Sequence, residues 1–146
     1  MKNVRDILNS KINASTYSIA PGAMVIDAIR MMSEHKVGAL LVMEDGRPVG
    51  ILSERDYARK IALFDRSSRT TTVREVMTAD LIYASPSDTM EHCMELMTDK
   101  RIRHLPILEG ERLIGLISIG DLVKNIIEDQ KAMIKQLEQY VRGESY

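Results

Sequence analysis

An internal repeat constrains this chain more than any other feature. Pro21-Gly22-Ala23-Met24 opens a segment in which Val25, Ala28, Ile29 and Met32 fall at i, i+3, i+4 and i+7, one face of a helix. At a register of 65 residues, the distance from Pro21 to Pro86, Pro86-Ser87-Asp88-Thr89 opens a second such face made of Met90, Cys93, Met94 and Met97. The same register pairs Leu40 with Leu105, Arg47 with Arg112, Gly50 with Gly115, Ser53 with Ser118, Asp56 with Asp121 and Ile61 with Ile126, without a gap. A match of this extent marks a duplication.

Each copy reads as a short strand (Tyr17 to Ile19; Ile82 to Ala84), a helix, and an apolar strand (Ala39 to Met43; Leu105 to Leu108). A turn at Asp45-Gly46 or Glu109-Gly110 leads to a second apolar strand (Pro48 to Leu52; Leu113 to Ile117). A closing helix starts near Asp56 or Asp121. Neither βαββα copy has enough apolar surface to close a core alone, so the expected fold is α+β, two units packed through their sheets about a pseudo-twofold axis. The expected boundaries are 9–65 for the first unit, 66–72 for a polar linker, 73–130 for the second unit and 131–146 for a C-terminal helical extension. Val4-Arg5-Asp6-Ile7-Leu8 also resembles Val73-Arg74-Glu75-Val76-Met77, but at the longer register from Val4 to Val73.

Composition narrows the function. A formal net charge of −1 and the lack of any run of Lys and Arg argue against nucleic acid and anionic lipid as partners. The longest apolar stretches fall far short of a membrane span, and the N-terminus lacks the apolar core of a secretion signal. With Cys93 as the one cysteine, a reducing cytoplasm is the expected setting. His35, His92 and His104 are far apart in sequence and no second cysteine joins Cys93, so no metal site is expected. Cys93 matches Ala28 on the inner helix face and reads as a small core residue. Walker-type and Gly-x-Ser-x-Gly loops are absent, and the chain is not expected to be an enzyme.

Chemistry concentrates in Gly50-Ile51-Leu52-Ser53-Glu54-Arg55-Asp56 and Gly115-Leu116-Ile117-Ser118-Ile119-Gly120-Asp121, where a strand hands over to a helix. Ser-x-x-Asp at such a junction is the pattern of a helix capping box. It also suits a nucleotide, because a carboxylate in the first turn can accept from two adjacent ribose hydroxyls. Both readings stand on the residues alone.

The duplicated Gly-x-x-Ser-x-x-Asp motif, its 65-residue register and Ile102-Arg103-His104-Leu105-Pro106-Ile107 together resemble a tandem CBS-domain pair over roughly residues 9–130. That resemblance implies a flattened module with two clefts for adenosine-containing ligands: AMP, ADP, ATP, NAD or S-adenosylmethionine. Asp56 and Asp121 would hold the riboses, with Ser53 and Ser118 beside them. Arg103 and His104 would meet a phosphate, whereas their counterparts Gly38 and Ala39 could not; Arg55 is the remaining cation for the first copy. Backbone groups near Tyr17, Ile19, Ile82 and Ala84 would meet the adenine edge. The resemblance further implies a homodimer and a regulatory output through an effector protein. A ligand-free interaction scaffold is the alternative. The stretch from Asp121 to Arg142 carries Leu122, Ile126, Met133, Leu137 and Tyr140 near helical spacing, either packing on its own module or projecting to pair two chains.

Overall fold

The computed structural model describes residues 2–11 and 16–143. Helix α1 (Val4–Ser10) starts at Asn3, which forms a capping box with Asp6. In the first unit, strand β1 (Ser18–Ile19) lies parallel to β2 (Ala39–Glu44), with helix α2 (Val25–His35) between them in the chain. Strand β3 (Arg47–Ser53) pairs antiparallel with β2. The two residues between Glu44 and Arg47 are Asp45 and Gly46, both at positive φ (53° and 76°), as a tight hairpin turn requires. Helix α3 (Glu54–Asp56) then runs into a π-helical segment, Tyr57–Ala62.

The second unit repeats this order after a short helix α4 (Val73–Val76): α5 (Met90–Lys100), β4 (His104–Glu109), β5 (Arg112–Ser118) and α6 (Ile119–Val141). Its hairpin has the same register, Leu105 opposite Ile117 where Leu40 faces Leu52. The turn sits one residue later than the sequence suggests, at Gly110-Glu111, because Glu109 still pairs with Arg112.

The expected strand from Ile82 to Ala84 shrinks to one parallel bridge between Ala84 and Ile107. Proline is the reason. In the first unit the Leu41 N–H donates to the Tyr17 carbonyl at 3.2 Å. The equivalent of Leu41 is Pro106, which has no N–H to offer Ile82.

The two leading helices explain how the units join. The core of the first unit gathers Val25, Ala28 and Met32 of α2 with Leu40, Val42, Leu52 and Ile61, and also takes Val73 and Val76 from α4. The core of the second gathers Met90, Cys93 and Met97 of α5 with Leu105, Ile107, Ile117 and Leu122, and takes Val4 and Ile7 from α1. Each unit therefore closes over the segment that leads the other. The backbone bonds match across the pseudo-twofold. Val73 and Arg74 N–H groups donate to Ala23 and Pro21 carbonyls at 2.8 and 2.9 Å, and Val4 and Arg5 donate to Asp88 and Pro86 at 2.9 and 3.0 Å. Val4, Ile7 and Val73 are fully buried.

This exchange accounts for the motif glycines. A Cβ on Gly50 would lie 2.6 Å from Met77 Sδ and 3.0 Å from the Thr78 carbonyl, and one on Gly115 would lie 2.7 Å from Leu8. Glycine gives room for this approach, against backbone at Gly50 and against the Leu8 side chain at Gly115. Cys93 is fully buried on α5, and burial, then the nearby Asp88 carboxylate, pushes its thiol up to about 11. It is a core residue held as a thiol at neutral pH.

Candidate functional site

Both motifs form capping boxes. Ser53 Oγ accepts from the Asp56 N–H at 3.2 Å while Asp56 Oδ2 accepts from the Ser53 N–H at 3.0 Å. The corresponding distances for Ser118 and Asp121 are 3.1 and 2.9 Å. Capping does not exhaust these carboxylates, because each also lines a cleft between the units.

The first cleft, about 370 Å³, is lined by Ser53, Arg55, Asp56, Arg59 and Thr78 on one side and by Arg101, Arg103 and His104 on the other. The motif of the first unit thus meets the start of β4 from the second. Arg55 Nη1 donates to the Arg101 carbonyl at 3.4 Å, which brings Arg55 and Arg103 into one cleft. Asp56 Oδ1 lies 3.2 Å from Lys60 Nζ and accepts from Thr78 Oγ1 at 3.3 Å.

The second cleft, about 380 Å³, joins Leu116, Ser118 and Asp121 to Tyr17, His35, Lys36 and Ala39 of the first unit, with Lys11 at its edge. Lys11 Nζ lies 3.0 Å from Asp121 Oδ2 and donates to the Leu116 carbonyl at 2.8 Å. Burial opposes the charge on Asp121, but the Ser118 N–H and the Lys11 ammonium outweigh it and hold the carboxyl below its ordinary value. Tyr17 and His35 stack face to face, ring centroids 3.9 Å apart and 11° from parallel.

His104 and Gly38 line both clefts. A Cβ on Gly38 would touch the His104 imidazole at 3.7 Å, so one ring and one bare backbone form the wall between the cavities. Burial lowers the His104 pKa, Asp121 pulls it back up, and Lys11 and Arg103 lower it again; the net position is below the ordinary value.

The structure therefore brings Ser53, Arg55, Asp56, Arg103 and His104 together in one cleft, and Tyr17, Ser118 and Asp121, with the shared His104, in the other. Ile19, Ile82 and Ala84 line neither. Ile19 is in the first core and paired to Val42, while Ile82 packs half-buried on the second core. The Ala84 N–H donates to the Pro106 carbonyl at 3.0 Å, and its carbonyl accepts from the Leu108 N–H at 2.9 Å. Lys11, Lys36, Arg59, Thr78 and Arg101 line the clefts without a sequence motif to announce them. Two of these were within reach of the repeat: Lys36 and Arg101 share its register, and both cap their helices in the left-handed conformation at φ 56° and 54°. Among the described residues, no group of three His, Cys, Asp or Glu side chains is placed to hold a metal.

Residues 4–63 and 73–128 each match the CBS domain family. The chain belongs to that family. A mitochondrial CBS domain-containing protein of Arabidopsis thaliana, CBSX3, is 40% identical over 124 residues, covering 82% of this chain and 60% of that protein. The CBS domain-containing protein YhcV of Bacillus subtilis is 31% identical over 132 residues, covering 90% of this chain and 91% of its own. A solved putative signal-transduction protein with CBS domains from Burkholderia ambifaria is 50% identical and superposes with a TM-score of 0.85, covering 88% of this chain and 96% of that one. The chain is thus a pair of CBS units, and no helix among its described residues is long and apolar enough to cross a membrane.

Proposed function

We propose that this CBS pair is a regulatory sensor that binds a phosphorylated adenosine nucleotide in the clefts between its units and catalyses nothing itself. One observation carries the reading: each cleft sets the motif carboxylate of one unit against cations of the other. Asp56 faces Arg101 and Arg103, with the His104 ring beside them, and Asp121 faces Lys36, with the His35 ring beside it. Carboxylate for ribose at one end and cations for phosphate at the other is the polarity of a nucleotide. A ligand held this way ties the units together, so it binds most tightly to one relative arrangement of them and shifts the population toward it. The output then passes to an effector protein or a second copy of the chain.

The CBS domain pair of protein MJ0100, 22% identical with a TM-score of 0.76, was solved with 5'-methylthioadenosine and S-adenosyl-L-methionine. At that identity the likeness speaks for the fold. The ligand class proposed here rests on the cations of this chain, which favour AMP, ADP, ATP or NAD over a cationic sulfonium.

A scaffold reading is favoured by one fact: both carboxylates are already engaged as caps and by Lys60 or Lys11. Calorimetric titration of nucleotide-free protein with AMP, ATP, NAD and S-adenosylmethionine separates the two. Sensing predicts binding that Asp56→Ala and Asp121→Ala each weaken at one cleft. No binding by the wild type returns both motifs to helix caps.

A further inference from the structure

Arg5, Arg30, Arg47, Arg66 and Arg74 each pair with a carboxylate, at Glu109, Asp27, Glu111, Glu75 and Glu44. The arginines of the first cleft do not. No ion pair of the described residues takes up Arg55, Arg59, Arg101 or Arg103, and all four line the one cavity. Like charges gathered around a cavity repel one another, and a bound polyanion relieves that repulsion.

Arg59 joins this set where the first unit departs from the repeat. Over Tyr57–Ala62 the helix widens to π geometry: the Leu63 N–H donates to the Ala58 carbonyl at 3.1 Å and the Arg66 N–H to the Ile61 carbonyl at 3.0 Å, each five residues back. The second unit keeps a regular α-helix at this point, and Lys124, the counterpart of Arg59, does not line the second cleft. Single π-helical turns of this kind recur at functional sites.

Charge then selects the form of the ligand. A nucleoside triphosphate free of metal carries about four negative charges near neutral pH, whereas a monophosphate, or a triphosphate bound to Mg²⁺, carries about two. We propose, on the basis of the nucleotide reading of the clefts, that the first cleft binds a nucleoside triphosphate without its divalent metal, so that Mg²⁺ competes with the arginines for the phosphate oxygens. The carboxylates of the cleft agree. Mg²⁺ in nucleotide sites is held by one or two carboxylates together with the phosphates, and it keeps several waters. Asp56 already accepts from the Ser53 N–H at 3.0 Å and lies 3.2 Å from Lys60 Nζ, which leaves Glu54 as the other carboxylate facing four guanidiniums. Guanidiniums take phosphate through forked hydrogen bonds, and a hydrated metal on the same oxygens blocks them.

The test is calorimetric titration of nucleotide-free protein with ATP and with AMP, each in EDTA and in excess Mg²⁺ at matched ionic strength. It is run on the wild type and on Asp121→Ala, which leaves the first cleft as the site read, and the same order is expected in both. In EDTA, ATP should bind at least about 10-fold more tightly than AMP, and Mg²⁺ should weaken ATP by at least about 10-fold, the equivalent of one charge-assisted hydrogen bond. AMP should hardly respond to the metal. Arg59→Ala should weaken metal-free ATP by about 10-fold and leave AMP nearly unchanged, with thermal melting confirming that the variant is folded. Equal affinity for ATP in EDTA and in Mg²⁺, or an Arg59→Ala loss as large for AMP as for ATP, would overturn the proposal and leave nucleotide sensing intact. Failure of every nucleotide to bind in either condition would overturn both.

Discussion

The two clefts share one scaffold and differ in the cations brought to it. Both start from a Ser-x-x-Asp box at the head of a helix, and both face the junction where a helix of the other unit turns into a strand. The first cleft carries four arginines: Arg55, Arg59, Arg101 and Arg103. The second carries Lys11 and Lys36 with the stacked Tyr17 and His35. The carboxylate end is tied to helix capping and stays the same, whereas the cation end is free of that duty and has diverged. Arginine presents a planar fork suited to phosphate, lysine a single point charge, so under the proposed function the first cleft is expected to favour polyphosphates.

The largest expected effect tests that difference. On an Asp121→Ala background, Arg55→Ala with Arg103→Ala should weaken ATP binding by at least about 100-fold, since charge-assisted hydrogen bonds contribute about 1.5–3 kcal/mol each and 1.4 kcal/mol is a factor of ten. Adenosine should hardly be affected. An equal loss for adenosine would mean the arginines shape the cleft rather than meet phosphate.

A smaller effect separates the units by stability. Gly50→Ala would drive a Cβ against the Thr78 carbonyl, which is held by its 2.9 Å bond from the Ile51 N–H, whereas Gly115→Ala meets only the Leu8 side chain. Overpacking against backbone should cost about 2–3 kcal/mol and against a movable Leu about 1 kcal/mol, read from chemical denaturation. The reverse order would show α1 to be the more rigid crossing.

The smallest effect belongs to the lysine cleft. Asp121 has a folded pKa below its ordinary value of 3.8, so its contribution to stability is full above that value and is lost as the pH falls through the folded pKa. Lys11→Met removes one cause of the depression, so the acid limb of unfolding should begin at a higher pH. An unchanged acid limb would assign the depression to the Ser118 N–H alone.

Much of the fold was legible because it rests on local periodicity. The inner faces of α2 and α5, the first hairpin and both helix starts fall where spacing and capping residues put them, and the second hairpin turns one residue later. The lost strand at Ile82 to Ala84 was also legible in principle, since it turns on Pro106 lacking one N–H. Within the site, the motif residues and Arg103 with His104 were visible from the sequence and the family resemblance. Lys11 and Thr78 were not, because each follows a leading helix, α1 or α4, that crosses into the core of the other unit.

The sequence by itself determined the duplication, the order of elements in each unit and the paired Ser-x-x-Asp junctions, because each depends on residues close in the chain. Only the tertiary structure decided that α1 enters the second core and α4 the first, that each cleft draws its carboxylate and its cations from different units, and that α6 leaves one apolar stripe uncovered. The physical reason is the likeness of the repeats. Val4 with Ile7 and Val73 with Val76 are equally apolar, so composition allows either partner. The choice rests on the summed fit of many distant contacts, including the passage of a foreign segment across Gly50 and Gly115.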